Sequence, residues 1–112
     1  MNNNQFKTLK FTKVLSELIL KGEKTTTWRI FDDKNISTGD LFIFMVKESL
    51  QEFAKAKIKD VKETSFKNLS FKDWDGHEKF SSNEEMYNTY SKYYDTQITE
   101  DTIVKVIQFE LI

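Results

Sequence analysis

Gly22-Glu23-Lys24-Thr25-Thr26-Thr27-Trp28-Arg29 is the stretch on which the reading of this chain turns. Before it, Phe11, Val14, Leu15, Leu18 and Ile19 recur at three- and four-residue intervals, which predicts an amphipathic helix over 11–21. Thr12 is placed to cap that helix, and Gly22 stands where a left-handed C-terminal residue is wanted. Three β-branched threonines and Trp28 then open a strand over 25–31, and Asp32-Asp33-Lys34-Asn35 supplies a turn.

Further along, Ser37-Thr38-Gly39-Asp40 makes a second turn into Leu41-Phe42-Ile43-Phe44-Met45-Val46, an unbroken apolar run suited to a strand covered on both sides. Residues 53–61 alternate Ala54, Ala56 and Ile58 with Lys55, Lys57 and Lys59, the pattern of a half-solvated strand. Ser82-x-x-Glu85 is a capping box that opens a helix through Met86, Tyr87, Tyr90 and Tyr94. The last stretch, 102–112, alternates again, with Ile103, Ile107, Phe109 and Leu111 on one face. Strands dominate, two helices accompany them, and no βαβ rhythm repeats. That pattern predicts an α+β or small-barrel domain.

The chain has 112 residues, a usual size for one domain, so a single domain over 1–112 is expected. Ten Phe, four Tyr and two Trp supply large rings, which let a small domain bury enough surface to fold. Absence of Cys excludes disulfides, a thiol nucleophile and Cys-based metal sites, and a single His excludes multi-His centres. No metal or cofactor is expected. No run approaches the ~18 apolar residues of a membrane helix, and the first residues lack the features of a secretory signal. The expectation is a soluble cytoplasmic protein. A net charge of −1 removes the broad attraction on which non-specific nucleic-acid coating rests, while leaving room for a local basic site.

Rare residue types point to chemistry. Arg29 is the only arginine, His77 the only histidine, and the two tryptophans lie within three residues of one or the other. Alternation puts Thr25, Thr27 and Arg29 on one face of the strand, and Thr26, Trp28 and Ile30 on the other. The first face offers directional hydrogen bonds to a phosphate, carbonyl or base edge. The plainer alternative is a structural ion pair at Arg29 with the threonines serving as strand formers. In Asp73-Trp74-Asp75-Gly76-His77-Glu78, Glu78 or His77 is a candidate acid or base, and Asp73 and Asp75 are candidate cation ligands. Alternatively this stretch is a solvated acidic turn anchored by Trp74, with His77 a hydrogen-bonded structural residue. Tyr87, Tyr90, Tyr93 and Tyr94 read as core packing, with one ring available to stack on a base.

The ordered set Gly22-x-Lys24-x-x-Thr27-x-Arg29, Gly39-Asp40, Phe66-x-x-Leu69, Gly76-His77-Glu78 and the final Val106-Ile107-x-Phe109 resembles an ASCH domain. The resemblance runs from about residue 18 to the end. It implies a small PUA-like β-barrel with two or three flanking helices, a cleft beside the Lys/Thr/Arg segment, and RNA or a nucleoside or nucleotide as the partner. Within that superfamily the chain is similar to the small bacterial N4-acetylcytidine amidohydrolases, in length and in Lys-Thr-x-Thr-x-Arg. That likeness implies Lys24 as base, Thr27 as nucleophile and, with one extra loop residue, Glu78 as acid. Trp28 and Gly76-His77 depart from that group.

Two functions follow from these residues. In one, Lys24, Thr25, Thr27, Arg29, His77 and Glu78 bind RNA or a nucleoside. In the other, an amidohydrolase acts on an N-acylated cytidine, with ribonuclease action a further enzymatic variant. Hydrolysis needs Lys24 to lose about 3 pKa units, roughly 4 kcal/mol of bias against its charge. Burial and Arg29 push that way, and an ionised Glu78 pushes back. Lys24 and Glu78 paired simply as ions would make a binding site.

Overall fold

A computed structural model describes residues 6–31 and 34–112. Its strands are β1 (Lys7–Phe11), β2 (Thr26–Arg29), β3 (Leu41–Val46), β4 (Glu52–Ser65) and β5 (Ile103–Leu111). Three helices accompany them, α1 (Lys13–Leu20), α2 (Phe71–Trp74) and α3 (Asn83–Tyr94), with a 3-10 turn at Phe66–Asn68. The strands form one sheet in the order β1-β3-β4-β5-β2, all antiparallel except the β1–β3 pair. Strands adjacent in sequence, β1 and β2, thus lie at opposite edges. The sheet curls until those edges approach, and Arg29 of β2 donates to the Lys10 carbonyl of β1 at 3.2 Å. The architecture is the expected α+β small barrel with flanking helices, left open along one seam.

Local chemistry explains most boundaries. The expected helix begins later than its periodicity implies, because Phe11 belongs to β1 and α1 starts behind Thr12. The Thr12 hydroxyl accepts from the Leu15 N–H. At the other end Gly22 adopts φ +79°, and the amides of Glu23 and Lys24 both donate to the Leu18 carbonyl. That wrapped turn delivers Lys24 beneath the helix. In α3 the Ser82 hydroxyl accepts from the Glu85 amide, whereas the Glu85 carboxylate accepts from Ser81. Half of the expected capping box is therefore displaced by one residue. Of the turn expected at 32–35, Asp32 and Asp33 lie outside the described residues.

Two hydrophobic clusters sit on opposite faces of the sheet. Phe11, Ile19, Phe42, Phe44, Ile58, Ile107 and Phe109 form one; Trp28, Phe66, Met86, Tyr90, Val104 and Val106 form the other. Strand β5 serves both, which corrects the single apolar face expected for it. Val104 and Val106 point to the α3 side and Ile107 and Phe109 to the α1 side, while Ile103 is 59% exposed. Alternation cannot register a strand that is covered on both faces, since every position is then apolar by demand. Phe109→Ala should cost about 3–5 kcal/mol in urea unfolding. Ile103→Ala should stay within about 0.5 kcal/mol, as for surface positions, and a similar loss at both sites would contradict the two-sided packing.

Candidate functional site

Lys24, Thr27, Arg29 and Glu78 converge on one cleft of about 210 Å³ at the open seam. Lys10 and Phe11 of β1, Thr12 and Leu15 of α1, and Tyr90, Tyr93 and Tyr94 of α3 complete its walls. The floor is polar. Lys24 is 2% exposed, and its ammonium donates to the Glu78 carboxylate at 2.5 Å and to the Thr26 carbonyl at 2.8 Å.

A loop docked on β2 brings the floor together. Gly76 carbonyl accepts from the amides of Thr25 and Thr26, at 2.9 and 3.1 Å. Thr26 Oγ1 donates to the Asp75 carbonyl, and Trp28 Nε1 to that of Asp73. Gly76 holds φ +78°, and a Cβ there would collide with Thr25 Oγ1. Its glycine is thus required twice, by conformation and by approach. The imidazole of His77 stacks on Trp28 with centroids 3.7 Å apart and planes 16° apart.

Burial pushes the Lys24 ammonium below its usual value against the opposing attraction of Glu78, and Arg29 adds to the push. For Glu78 the balance is reversed. Burial alone would raise it, but the charge and the hydrogen bond of Lys24 hold it below the carboxylate range. The difference follows exposure, since the Glu78 side chain keeps 20% of its surface and Lys24 only 2%. Glu78 is thus ionised at neutral pH.

His77 Nδ1 lies 2.8 Å from the Glu78 carbonyl, which can only accept, so Nδ1 carries the proton. Nε2 then accepts from the Tyr90 hydroxyl at 3.1 Å. Burial and the Lys24 charge lower its pKa to about 3, so the ring is neutral.

Arg29 is half-buried, with its guanidinium carbon 5.0 Å from the centre of the Phe11 ring. Its Nε is buried and has no hydrogen-bond partner among the described residues. No carboxylate among the described residues pairs with it, and its hydrogen bond there is to the Lys10 carbonyl. The Thr27 side chain is 5% exposed and makes no hydrogen bond to Lys24 among the described residues.

Two of the residues expected in the site lie off the cleft. Thr25 precedes β2 with its side chain exposed beside Gly76, and His77 is enclosed beneath Trp28 as a positioning group. Asp73, rather than forming a solvated turn, is 4% exposed, caps α2 with Ser70 and pairs with Lys62 at 2.9 Å. Among the described residues no group of three His, Asp or Glu side chains could hold a metal ion, and no helix is long and apolar enough to cross a membrane. Sequence reasoning missed Lys10, Phe11 and Lys47, because Phe11 falls in the expected helix over 11–21, no element is expected before it, and a lysine beyond a strand end carries no motif. Tyr90, Tyr93 and Tyr94 carry a signal, helical spacing, but it speaks equally for core packing.

No family model and no curated protein matches the sequence. Solved structures do match the fold. An ASCH domain from Lactobacillus crispatus superimposes with TM-score 0.73 at 18% identity, over 96% of this chain and 79% of that one. A protein from Enterococcus faecalis gives 0.81 at 16% identity, over 100% and 83%. A hypothetical protein gives 0.72 at 27% identity, over 96% and 100%. The chain has the ASCH-domain fold, as its motifs led one to expect.

The neutral His77 makes a pH prediction. Its folded pKa of about 3 lies below the ordinary 6.5, so between those values the unfolded chain binds a proton that the native state does not. Stability therefore rises with pH across that window and is full above it, a span on the order of 4 kcal/mol. Chemical denaturation at pH 7, 6 and 5 should show a steep decline for the wild type. For His77→Phe, which is already weakened at pH 7 by the unpaired Tyr90 hydroxyl, the decline should be shallower. Parallel slopes for the two proteins would contradict a buried neutral imidazole.

Proposed function

We propose that the cleft binds a single nucleobase, presented by RNA or by a nucleotide. The observation that carries this reading is the ionised Lys24–Glu78 pair on the floor of a hollow that Arg29 also lines. Base edges present donors and acceptors side by side, and a floor holding both a carboxylate and cationic donors can read them. The aromatic rings of Tyr90, Tyr93 and Tyr94 flank that floor, and unstacked bases are held on such rings. The ASCH-domain fold and the motif resemblance point to the same class of ligand.

A second reading, amide hydrolysis of an N-acylated cytidine, draws on two observations. Burial lowers Lys24, and the Thr27 side chain lines the cleft with no hydrogen bond among the described residues. In that reading Thr27 Oγ bonds to the acyl carbon as Lys24 takes the hydroxyl proton. The departing amine then leaves with a proton from Glu78, and water releases the acyl group from Thr27. Each proton transfer requires the Lys24–Glu78 pair to be neutral first, and the ionised pair favours binding instead.

A panel of ribonucleosides and N4-acetylcytidine, followed by thermal shift and by chromatography, separates the readings. Binding predicts a higher Tm with at least one nucleoside and no product from N4-acetylcytidine. Tyr93→Ala, at a ring that is 50% exposed, should weaken binding by the value of one base–aromatic stack, about 1–3 kcal/mol, with folding retained. Release of cytidine that stops in Thr27→Val would establish hydrolysis in its place. No shift with any nucleoside or 5′-monophosphate, and no product, would remove both.

A further inference from the structure

The cleft's floor is electrically balanced and its mouth is not. Lys24 and Glu78 cancel, and Glu78 is the only acidic residue among the described residues lining the cleft. Arg29, Lys10 and Lys47 remain, and none of the three has a carboxylate partner within 4.0 Å among the described residues. Elsewhere Lys7, Lys62 and Lys67 are each neutralised by an aspartate. Glu48, next in sequence to Lys47, is occupied by the Lys13 amide at 2.9 Å and does not line the cleft. In a chain of net charge −1, this is, among the described residues, a local excess of positive charge around one opening.

Volume gives the excess a direction. The cleft, at about 210 Å³, is smaller than the roughly 300–1,000 Å³ of an ordinary small-molecule site, so a base that fills it leaves its sugar and phosphate outside. Beyond the Arg29–Lys10 contact lies a second hollow of about 480 Å³ that shares Lys10, Arg29 and Tyr94 with the first. No acidic residue among those described lines it. A ribose and phosphate leaving the base pocket toward that hollow meet the cationic side chains first. Glu78 works in the same sense, since its charge keeps a phosphate off the floor and so orients the ligand base-inward.

We infer that the site recognises a phosphorylated ligand, with the base in the cleft and its phosphate held at the mouth by Lys10, Lys47 and Arg29. The inference rests on the base-binding reading above and narrows it: the ligand is a nucleotide, free or within a strand, and not a nucleoside. A phosphate group carries one to two negative charges, and arginine and lysine bind it with charge-assisted hydrogen bonds that weaken as salt rises.

Calorimetry with the four ribonucleosides, their 5′-monophosphates, an RNA trinucleotide and inorganic phosphate tests it. In 50 mM salt at least one monophosphate should bind tenfold or more tighter than its nucleoside. That advantage should shrink at 300 mM salt, whereas nucleoside affinity changes little. In the double variant Lys10→Ala/Lys47→Ala the advantage should fall below twofold, with the circular dichroism spectrum and Tm retained. Both side chains are exposed, and the carbonyl that receives Arg29 is backbone.

A trinucleotide that binds more tightly than any monophosphate assigns the phosphate to RNA, and the reverse order assigns it to a free nucleotide. Either outcome supports the inference. Equal affinity for nucleoside and monophosphate overturns it and leaves base binding standing. A phosphate advantage that survives the double variant or is indifferent to salt also overturns it. Failure of every nucleoside and nucleotide to bind overturns the base-binding reading as well.

Discussion

Lys24 and Glu78 are separated by 54 positions in the chain, and no local preference brings them together. Their meeting depends on the 73–78 loop lying flat against the start of β2, with the His77 ring on Trp28 and the Gly76 carbonyl taking two successive amides. This contact is non-polar and polar at once. Stacking supplies area, and the backbone bonds supply register, so the carboxylate arrives at one height along the strand. A side chain at position 76 would be strained at φ +78° and would displace the Thr25 hydroxyl that lies against the loop.

Docking of this kind has an electrostatic consequence. It encloses an ammonium, a carboxylate and an imidazole in one small volume, and their charges settle by accessibility. The imidazole, paired with a carbonyl and a phenol, stays neutral, whereas Glu78 keeps its charge through its cationic neighbour and its remaining exposure. A buried ion pair contributes little net stability, because desolvation offsets attraction. Lys24 is depressed despite its partner for that reason. Removing Glu78 would strand the Lys24 ammonium without water, so the pair is costly to break from that side although its formation is nearly neutral.

The cleft exists because the barrel is not closed by backbone bonds. One arginine spans the seam, bonding to a carbonyl of β1 while its carbon lies over the Phe11 ring. A planar delocalised cation can do both, whereas an ammonium is a compact and strongly hydrated charge. The single arginine among 17 basic residues therefore stands where guanidinium geometry matters. Closure by a side chain leaves an opening between two strand edges, and that opening is the hollow into which Thr27, Lys24 and the α3 tyrosines face.

Local features were legible in the amino-acid order. β3 was read residue for residue from its apolar run, and α3 from its Ser82 cap and tyrosine spacing. The candidate segment Lys24–Arg29 stood out because it holds the single arginine and one of the two tryptophans. β1 and the two-faced packing of β5 were not legible. Phe11 fits a helical stripe as well as a strand end, and alternation loses meaning once both faces are covered. His77 likewise read as a candidate acid or base until Trp28 and Tyr90 were seen to enclose it. Neighbouring residues set dihedral preference, capping and periodicity, and these act over a few positions, so the sequence by itself determined the elements and the identity of the polar groups. Which of those groups share a hollow, and with what charge, was decided only by long-range docking, because solvent exclusion and Coulomb coupling depend on distance in space and not on distance along the chain.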